Sequence, residues 1–412
     1  MQSLLRPDVP APAVRYTGFP RFNFTGGHND ASSTPVDALR AAADAVLARE
    51  GRTLATYGLS SGPQGYLGLR EFLVRKLKAH AAIVCDTDEI LLTSGSLQGL
   101  DLVNGLLVSP GDTVLIEEHC YAGTITRLQR AGARILAVPM DGGGMRMDAL
   151  ATALEQLKHD GVRAKYLYTI PTVQNPSGSV LSLERRRELL RLTEAHSVPV
   201  FEDDCYADLV FSGSRPPALM ALARASGWDG VIHIGSFSKS VAPALRAGFL
   251  VANWEVMARL LALKTDAGSG ALEQMVLAEF CNAHFDTHLT ALNRALQRKA
   301  KVLVDALAEQ FGTAAEFEEP AGGIFLWVRL PEAVDTSRLA VAAAAQGIAF
   351  NAGADWSMTG PRANRWLRLC FANPPEDVIR AGVAALANVC HREFGVPARI
   401  ANVSRVAAAP SI

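Results

Sequence analysis

Between residues 87 and 251 the chain alternates short apolar runs rich in β-branched residues with longer amphipathic stretches charged on one face. This rhythm leaves few folds open, because strands that are apolar on both faces have to be covered by helices on both sides. The predicted strands are 89–92, 113–117, 134–138, 164–169, 198–202, 231–235 and 248–252. Helices are predicted between them at 96–107, 121–131, 147–159 and 182–196. Such a succession of βαβ units builds an α/β domain of three layers around a mostly parallel sheet. Ligands of these sheets sit at the carboxyl ends of the strands.

After residue 253 the pattern changes to helices at 255–265, 272–283 and 287–311. A smaller α+β unit follows, with strands 324–330 and 366–371 and helices 336–345 and 375–390. The expected division is a large domain over 53–285, a small domain from 13–50 with 286–394, and a tail over 395–412. The helix predicted at 36–49 is expected to pack with the small domain. The formal charge of -1, from 40 basic and 41 acidic residues, argues against nucleic-acid partners. Six cysteines without C-x-x-C spacing argue against a zinc site or disulfide framework and fit a reducing cytoplasm. Residues 1–14 do not read as a secretory signal, and no stretch is apolar enough to span a bilayer, so no membrane partner is expected.

Four segments fall just past predicted strands. Thr93-Ser94-Gly95-Ser96-Leu97-Gln98 ends a strand and opens a helix, which suits a phosphate at the positive helix end; taken alone it is more often a plain cap. Pro171-Thr172-Val173-Gln174-Asn175-Pro176-Ser177-Gly178 offers adjacent amides between prolines, and by itself reads as a turn. Phe201-Glu202-Asp203-Asp204-Cys205-Tyr206 puts three carboxylates at the end of an apolar strand, a costly placement unless a cation meets them. A surface turn is the alternative there, although Tyr206 suggests a target shared with Asp203. In the fourth, residues 235–248, small hydroxyls, Lys239 and Arg246 follow a buried strand. A lone lysine is nearly always a solvated charge, but one set between two apolar runs is placed for desolvation, which lowers an amine pKa and lets it form an imine. Ser236, Ser238 and Arg246 are then placed to hold a phosphate, the arginine by paired hydrogen bonds.

Together these segments resemble the class I/II aminotransferases of fold type I that depend on pyridoxal 5'-phosphate (PLP), in the branch of 2-aminoadipate and broad-range enzymes. The resemblance runs from about Phe24 to Val389. It rests on Ser-x-Ser-Lys at 236–239 with Arg246 seven residues on, Asn-Pro-x-Gly at 175–178 and Asp-x-x-Tyr at 203–206. It implies an aspartate aminotransferase-like fold and transfer of an amino group between an L-amino acid and a 2-oxo acid. Lys239 would be the Schiff-base lysine, and Asp203, with Asp204 as second candidate, the carboxylate facing the ring nitrogen. Asn175 and Tyr206 would bond the ring's phenolic oxygen, and Tyr121 would stack on the ring. The phosphate would be held by Ser94, Gly95, Ser96, Leu97, Ser236, Ser238 and Arg246. Tyr57 resembles the tyrosine that reaches the neighbouring subunit's phosphate, which implies a homodimer with shared sites. Arg368 would grip the substrate α-carboxylate, with Asn175 and Gly27 beside it. No metal is expected.

The chain departs from this branch at Gly26-Gly27-His28-Asn29-Asp30, whose polar groups read as a contribution to substrate specificity or as a helix cap. Phe350-Asn351-Ala352-Gly353-Ala354-Asp355-Trp356 is a second departure, and Gly142-Gly143-Gly144 reads as a connector. Two rival readings stand beside aminotransfer. The same parts support elimination, replacement or decarboxylation of an amino acid, and a similar domain senses effectors in some transcription regulators. The second loses ground because residues 1–22 are too short for a winged-helix domain.

Overall fold

The structure is a computed structural model, and it describes residues 9, 12, 13, 15, 16, 18–211 and 215–398; most of the expected tail therefore lies outside the described residues. Strand β1 (Phe22–Asn23) precedes helices α1 (Val36–Glu50) and α2 (Leu67–Ala81). The chain then lays down β2 (Ile90–Ser94), α3 (Ser96–Leu107), β3 (Thr113–Glu117), α4 (Ala122–Arg130) and β4 (Arg134–Val138). The glycine run expected to be a connector turns a small hairpin, β5 (Met140–Asp141) and β6 (Gly144–Met145). It leads to α5 (Met147–His159), β7 (Ala164–Thr169), α6 (Leu183–Ala195), β8 (Val200–Asp203), α7 (Leu219–Ala225), β9 (Val231–Ser236) and β10 (Ala247–Val251).

The main sheet has the order β2-β10-β9-β8-β7-β3-β4, with β10 antiparallel to both neighbours and the other pairings parallel. Side chains leave a strand alternately to its two faces. Leu91, Ile116, Phe201 and Ile234 enter one core with Leu100 of α3 and Leu128 of α4. Ile90, Leu92, Leu115 and Leu167 enter the other with Leu73 of α2, Leu154 of α5 and Leu189 of α6. Each such buried aliphatic side chain contributes about 1.5–3 kcal/mol, which is why the strands read as continuous apolar runs. The predicted three-layer architecture is the observed one.

Beyond α8 (Trp254–Leu263) the sequence predicts two helices, but the structure has one, α9 (Ala271–Phe311), of 41 residues. Residues 283–286 contain no glycine or proline, and Cys281, Phe285 and Leu289 bury at four-residue spacing, so one apolar stripe runs through the expected break. The division expected after residue 285 falls inside this helix. The small unit holds β11 (Phe325–Arg329), α10 (Thr336–Ala344), β12 (Ile348–Ala349), β13 (Asn351–Ala352), β14 (Trp366–Cys370) and α11 (Glu376–Phe394). Its sheet is antiparallel, in the order β11-β14-β13. The amino-terminal segment meets it through β1, which pairs with β12, and through the Cys370 N–H, which donates to the Phe24 carbonyl at 2.8 Å. The parallel strands β2, β9, β8, β7 and β3 end on one rim of the main sheet, and β10 begins there, with Gly248 opposite both Thr93 and Ser236.

Candidate active site

Three backbones meet at one corner of that rim. Gly95, at φ +75°, turns the chain from β2 into α3. A Cβ on Gly95 would overlap the Arg246 guanidinium, whose Nη2 donates to the Ser94 carbonyl at 3.2 Å. A Cβ on Gly248 would lie 2.7 Å from the Gly95 carbonyl carbon and the Ser96 nitrogen, so the close approach of β10 requires glycine. Ser236 and Ser238 are buried alongside, with the Ser238 N–H donating to Ser236 Oγ at 3.0 Å. Ser96 and Leu97 open α3, where first-turn N–H groups lack helical partners. One arginine, three hydroxyls and a helix N-terminus are thus gathered where β2 and β9 end and β10 begins, chemistry suited to a phosphate.

Lys239 follows on the same loop. It is partly buried, and desolvation lowers its pKa below the usual lysine value. Its Nζ donates to the Gly27 carbonyl and lies 5.9 Å from the centre of the Tyr206 ring. Asn29 Nδ2 donates to the Lys239 carbonyl at 2.9 Å. At the end of β8 the three carboxylates separate. Glu202 accepts from the N–H groups of Leu219 and Met220 at 2.6 and 3.1 Å and meets His233 at 3.0 Å. Asp204 is paired with Arg215. Asp203 is buried, accepting from Tyr168 Oη at 2.6 Å and the Cys205 N–H at 3.2 Å. Burial pushes its carboxyl pKa upward against the Tyr168 hydrogen bond, so a cationic N–H opposite it would be strongly favoured.

Asn175 joins the two sides of the site. Its Nδ2 donates to Tyr206 Oη at 3.1 Å, and its Oδ1 accepts from Arg368 Nη1 at 3.0 Å. Arg368 Nη2 donates to Asn351 Oδ1 at 2.7 Å and to the Thr25 carbonyl at 3.3 Å. The guanidinium lies between the Phe325 and Trp356 rings, 3.6 Å from each centroid. Burial lowers its pKa to about 10, and its Nε is buried without a partner. Tyr121 caps α4 with its ring 5.9 Å from that of Trp356. Tyr57 stands apart, 90% exposed on a groove of ≈ 380 Å³ that Tyr66, Lys264 and Gln274 also line.

Tyr168, Thr25 and Asn351 were not among the expected site residues; the signal for Tyr168 was its place one residue before the end of an apolar strand. In the polar loop, Asp30 caps a short helical turn by accepting from the Ser33 N–H at 3.0 Å and pairs with Lys299, as a helix cap would. His28 lies 3.0 Å from the Asn29 carbonyl.

A desolvated lysine, a phosphate corner and a buried carboxylate on the carboxyl rim of a seven-stranded α/β sheet define a PLP enzyme of fold type I. The chain belongs to the family Aminotransferase class I and II, which matches residues 22–386. It is 33% identical to the 2-aminoadipate transaminase of Thermus thermophilus over 88% of both chains. It is 28% identical to aromatic-amino-acid aminotransferase 1 of Thermococcus litoralis, over 90% of this chain and 88% of that one. Among solved structures it resembles LysN, the α-aminoadipate aminotransferase of Thermus thermophilus complexed with N-(5'-phosphopyridoxyl)-L-leucine. That likeness has a TM-score of 0.84 at 32% identity, covering 91% of this chain and 93% of that one. The protein is accordingly a PLP-dependent aminotransferase that moves amino groups between amino and oxo acids. Neither elimination or decarboxylation nor effector sensing is favoured by these likenesses. The residues fit the cofactor: the glycine-lined corner suits a phosphate, Asp203 calls for a cation, and Arg368 Nε is a buried donor left without a partner.

Proposed function

We propose that Lys239 joins PLP covalently and that the residues around it divide the work of moving an amino group from an L-amino acid to a 2-oxo acid. When bound, the PLP ring accepts the electron pair left at the substrate's Cα. Asp203 keeps the ring nitrogen protonated, an interaction that strengthens as charge develops. Lys239, desolvated and so readily neutral, would join the cofactor's aldehyde carbon; once the incoming substrate amine displaces it there, its freed amine would take the Cα proton and deliver it to that aldehyde carbon, work typically worth ~10²–10⁴ in rate. Arg368 binds the substrate carboxylate, its Nε being a buried donor without a partner, with Asn175 and Gly27 beside it, and thereby orients the Cα–H bond. Asn175 and Tyr206 hold the ring's phenolic oxygen, and Tyr121 covers the ring. Ser94, Gly95, Ser96, Leu97, Ser236, Ser238 and Arg246 hold the phosphate.

In the same reading a large unit, 53–285, carries the cofactor, and a small unit, 13–50 with 286–394, carries the carboxylate site. Tyr57, so exposed in one chain, completes the phosphate site of a second copy, which makes the working form a homodimer with shared sites. Unpaired cysteines suit a reducing cytoplasm. The amino donors to try first are 2-aminoadipate and the aromatic amino acids, after which the relatives from Thermus thermophilus and Thermococcus litoralis are named. The observation that carries the reading is Asn175, which bonds Tyr206 on one side and Arg368 on the other beside the Lys239 amine. Borohydride reduction followed by peptide mapping is expected to find the vitamer on Lys239. Lys239→Ala is expected to lose both the yellow absorbance and turnover, and a variant that kept turnover would refute the assignment.

A further inference from the structure

Glu117, at the end of β3, is a buried carboxylate that the proposed reaction does not use. Three donors converge on it: Thr169 Oγ1 at 2.7 Å, Gln174 Nε2 at 3.0 Å and the Ile170 N–H at 3.3 Å. Burial pushes its pKa up to about 7, against those hydrogen bonds. A group that costs this much to bury persists where it does something that an apolar side chain cannot.

Gln174 shows what that is. Its Nε2 also donates to the His119 carbonyl at 2.6 Å, and its Oε1 accepts from the Ser177 N–H at 2.7 Å. Its backbone N–H donates to the Ser179 carbonyl at 2.9 Å. One side chain therefore ties both limbs of the loop to the sheet rim, and the next residue is Asn175. The residue before it, Val173, has φ +55°, a left-handed conformation that is rare for a β-branched side chain. Such a conformation lasts only where the surroundings over-determine it. Here the Val173 methyls sit where a Cβ on Gly322 or Gly323 would fall, at 2.8 and 2.5 Å. The loop is thus held in a costly shape from two sides.

We infer that Glu117, acting through Gln174, is a positioning residue: it holds the loop that sets Asn175 between Tyr206 and Arg368. The inference deepens the reading above and rests on it, since Asn175 matters only if Tyr206 serves the cofactor and Arg368 the substrate.

The test is a cycle of Glu117→Ala, Asn175→Ala and the double variant as holoenzymes, with Glu117→Gln as the conservative control. Steady-state kinetics with an amino donor and the pH midpoint of the bound cofactor's yellow absorbance are both read. Glu117→Ala is expected to lower kcat/KM on the order of 10- to 100-fold, as a displacement near 1 Å does, mostly through KM. Its absorbance midpoint is expected to move to higher pH, as donors to the phenolic oxygen are lost. The double variant should be no worse than Asn175→Ala, because the two act as one unit. Glu117→Gln, which keeps an acceptor for Gln174, should recover most of the loss. Additive losses, an unmoved midpoint or a Gln variant as impaired as Ala would overturn the inference. If Glu117→Ala gives no folded holoenzyme, Gln174→Leu enters the same cycle. Borohydride labelling separates the two levels: an unlabelled Lys239 in the parent protein sinks the whole reading, whereas label with additive losses sinks only the role of Glu117.

Discussion

Arg368 combines two demands that pull against each other, a charge and near-complete burial. Rings at 3.6 Å on both faces leave only its edges for hydrogen bonding, and Asn175, Asn351 and Thr25 take three of its five N–H donors, leaving Nε and one on Nη1. A lysine there keeps the charge but has neither the plane to fill the slot nor the fork to grip a carboxylate. Arg368→Lys is expected to raise KM for amino donors about 10- to 100-fold, the equivalent of the roughly 1.5–3 kcal/mol in a hydrogen bond to a charged group. Cofactor absorbance should be unchanged, and steady-state kinetics showing an unaltered KM would remove Arg368 from the carboxylate site. Glu117 carries a prediction of its own. Its folded-state pKa of about 7 lies above the ordinary 4.5. Between those values the folded protein holds a proton that the unfolded chain releases, so this group's contribution to stability is present at low pH and is lost as pH rises toward 7. Glu117→Gln is expected to flatten that fall, measured as urea midpoints near pH 4.5 and pH 7. Asp203, whose charge adds to burial in raising Glu117, is retained in both proteins.

At the scale of elements, the phosphate corner depends on how closely β10 passes the turn between β2 and α3. Gly248→Ala is expected to force these apart, because the new methyl would sit 2.7 Å from backbone atoms that cannot swing aside. Spectral titration of the apoprotein should show weaker cofactor binding, by about tenfold or more if ~1.4 kcal/mol or more of contact is lost; an affinity equal to the parent's would mean that the corner does not hold the phosphate. The strands were legible because an apolar run bounded by polar residues is a local signal, and β3, β4 and β7 begin and end where predicted. Helix α2 went unpredicted although Leu69, Leu73 and Leu77 carry its four-residue stripe. Helix α7, at 7 residues, is too short for a periodic signal. The break expected in α9 arose from its exposed, polar middle, where the burial of Phe285 alone keeps the stripe continuous.

At the scale of the whole molecule, the proposed sharing of each site by two chains carries its own prediction. If Tyr57 completes the neighbouring chain's phosphate corner, a hybrid of one Lys239→Ala chain and one Tyr57→Ala chain contains one site with both residues intact. Co-expressing the two is expected to recover activity, at limiting cofactor, above that of either variant alone; the absence of recovery would confine Tyr57 to a structural role. Such sharing is beyond any single-chain argument, because it depends on a surface that one chain leaves open. By itself the sequence determined the three-layer sheet and the chemical types gathered at its rim, since apolar period and strand-end composition are local properties. Only the tertiary structure decided that Asp203 accepts from Tyr168 and the Cys205 N–H while Asp204 pairs with Arg215 and Glu202 takes up two helix N–H groups. It also brought Asn175 and the Thr25 carbonyl to Arg368 across 193 and 343 residues of chain. The physical reason is that a hydrogen bond needs its partners within about 3 Å, and only folding sets which distant segments come that close.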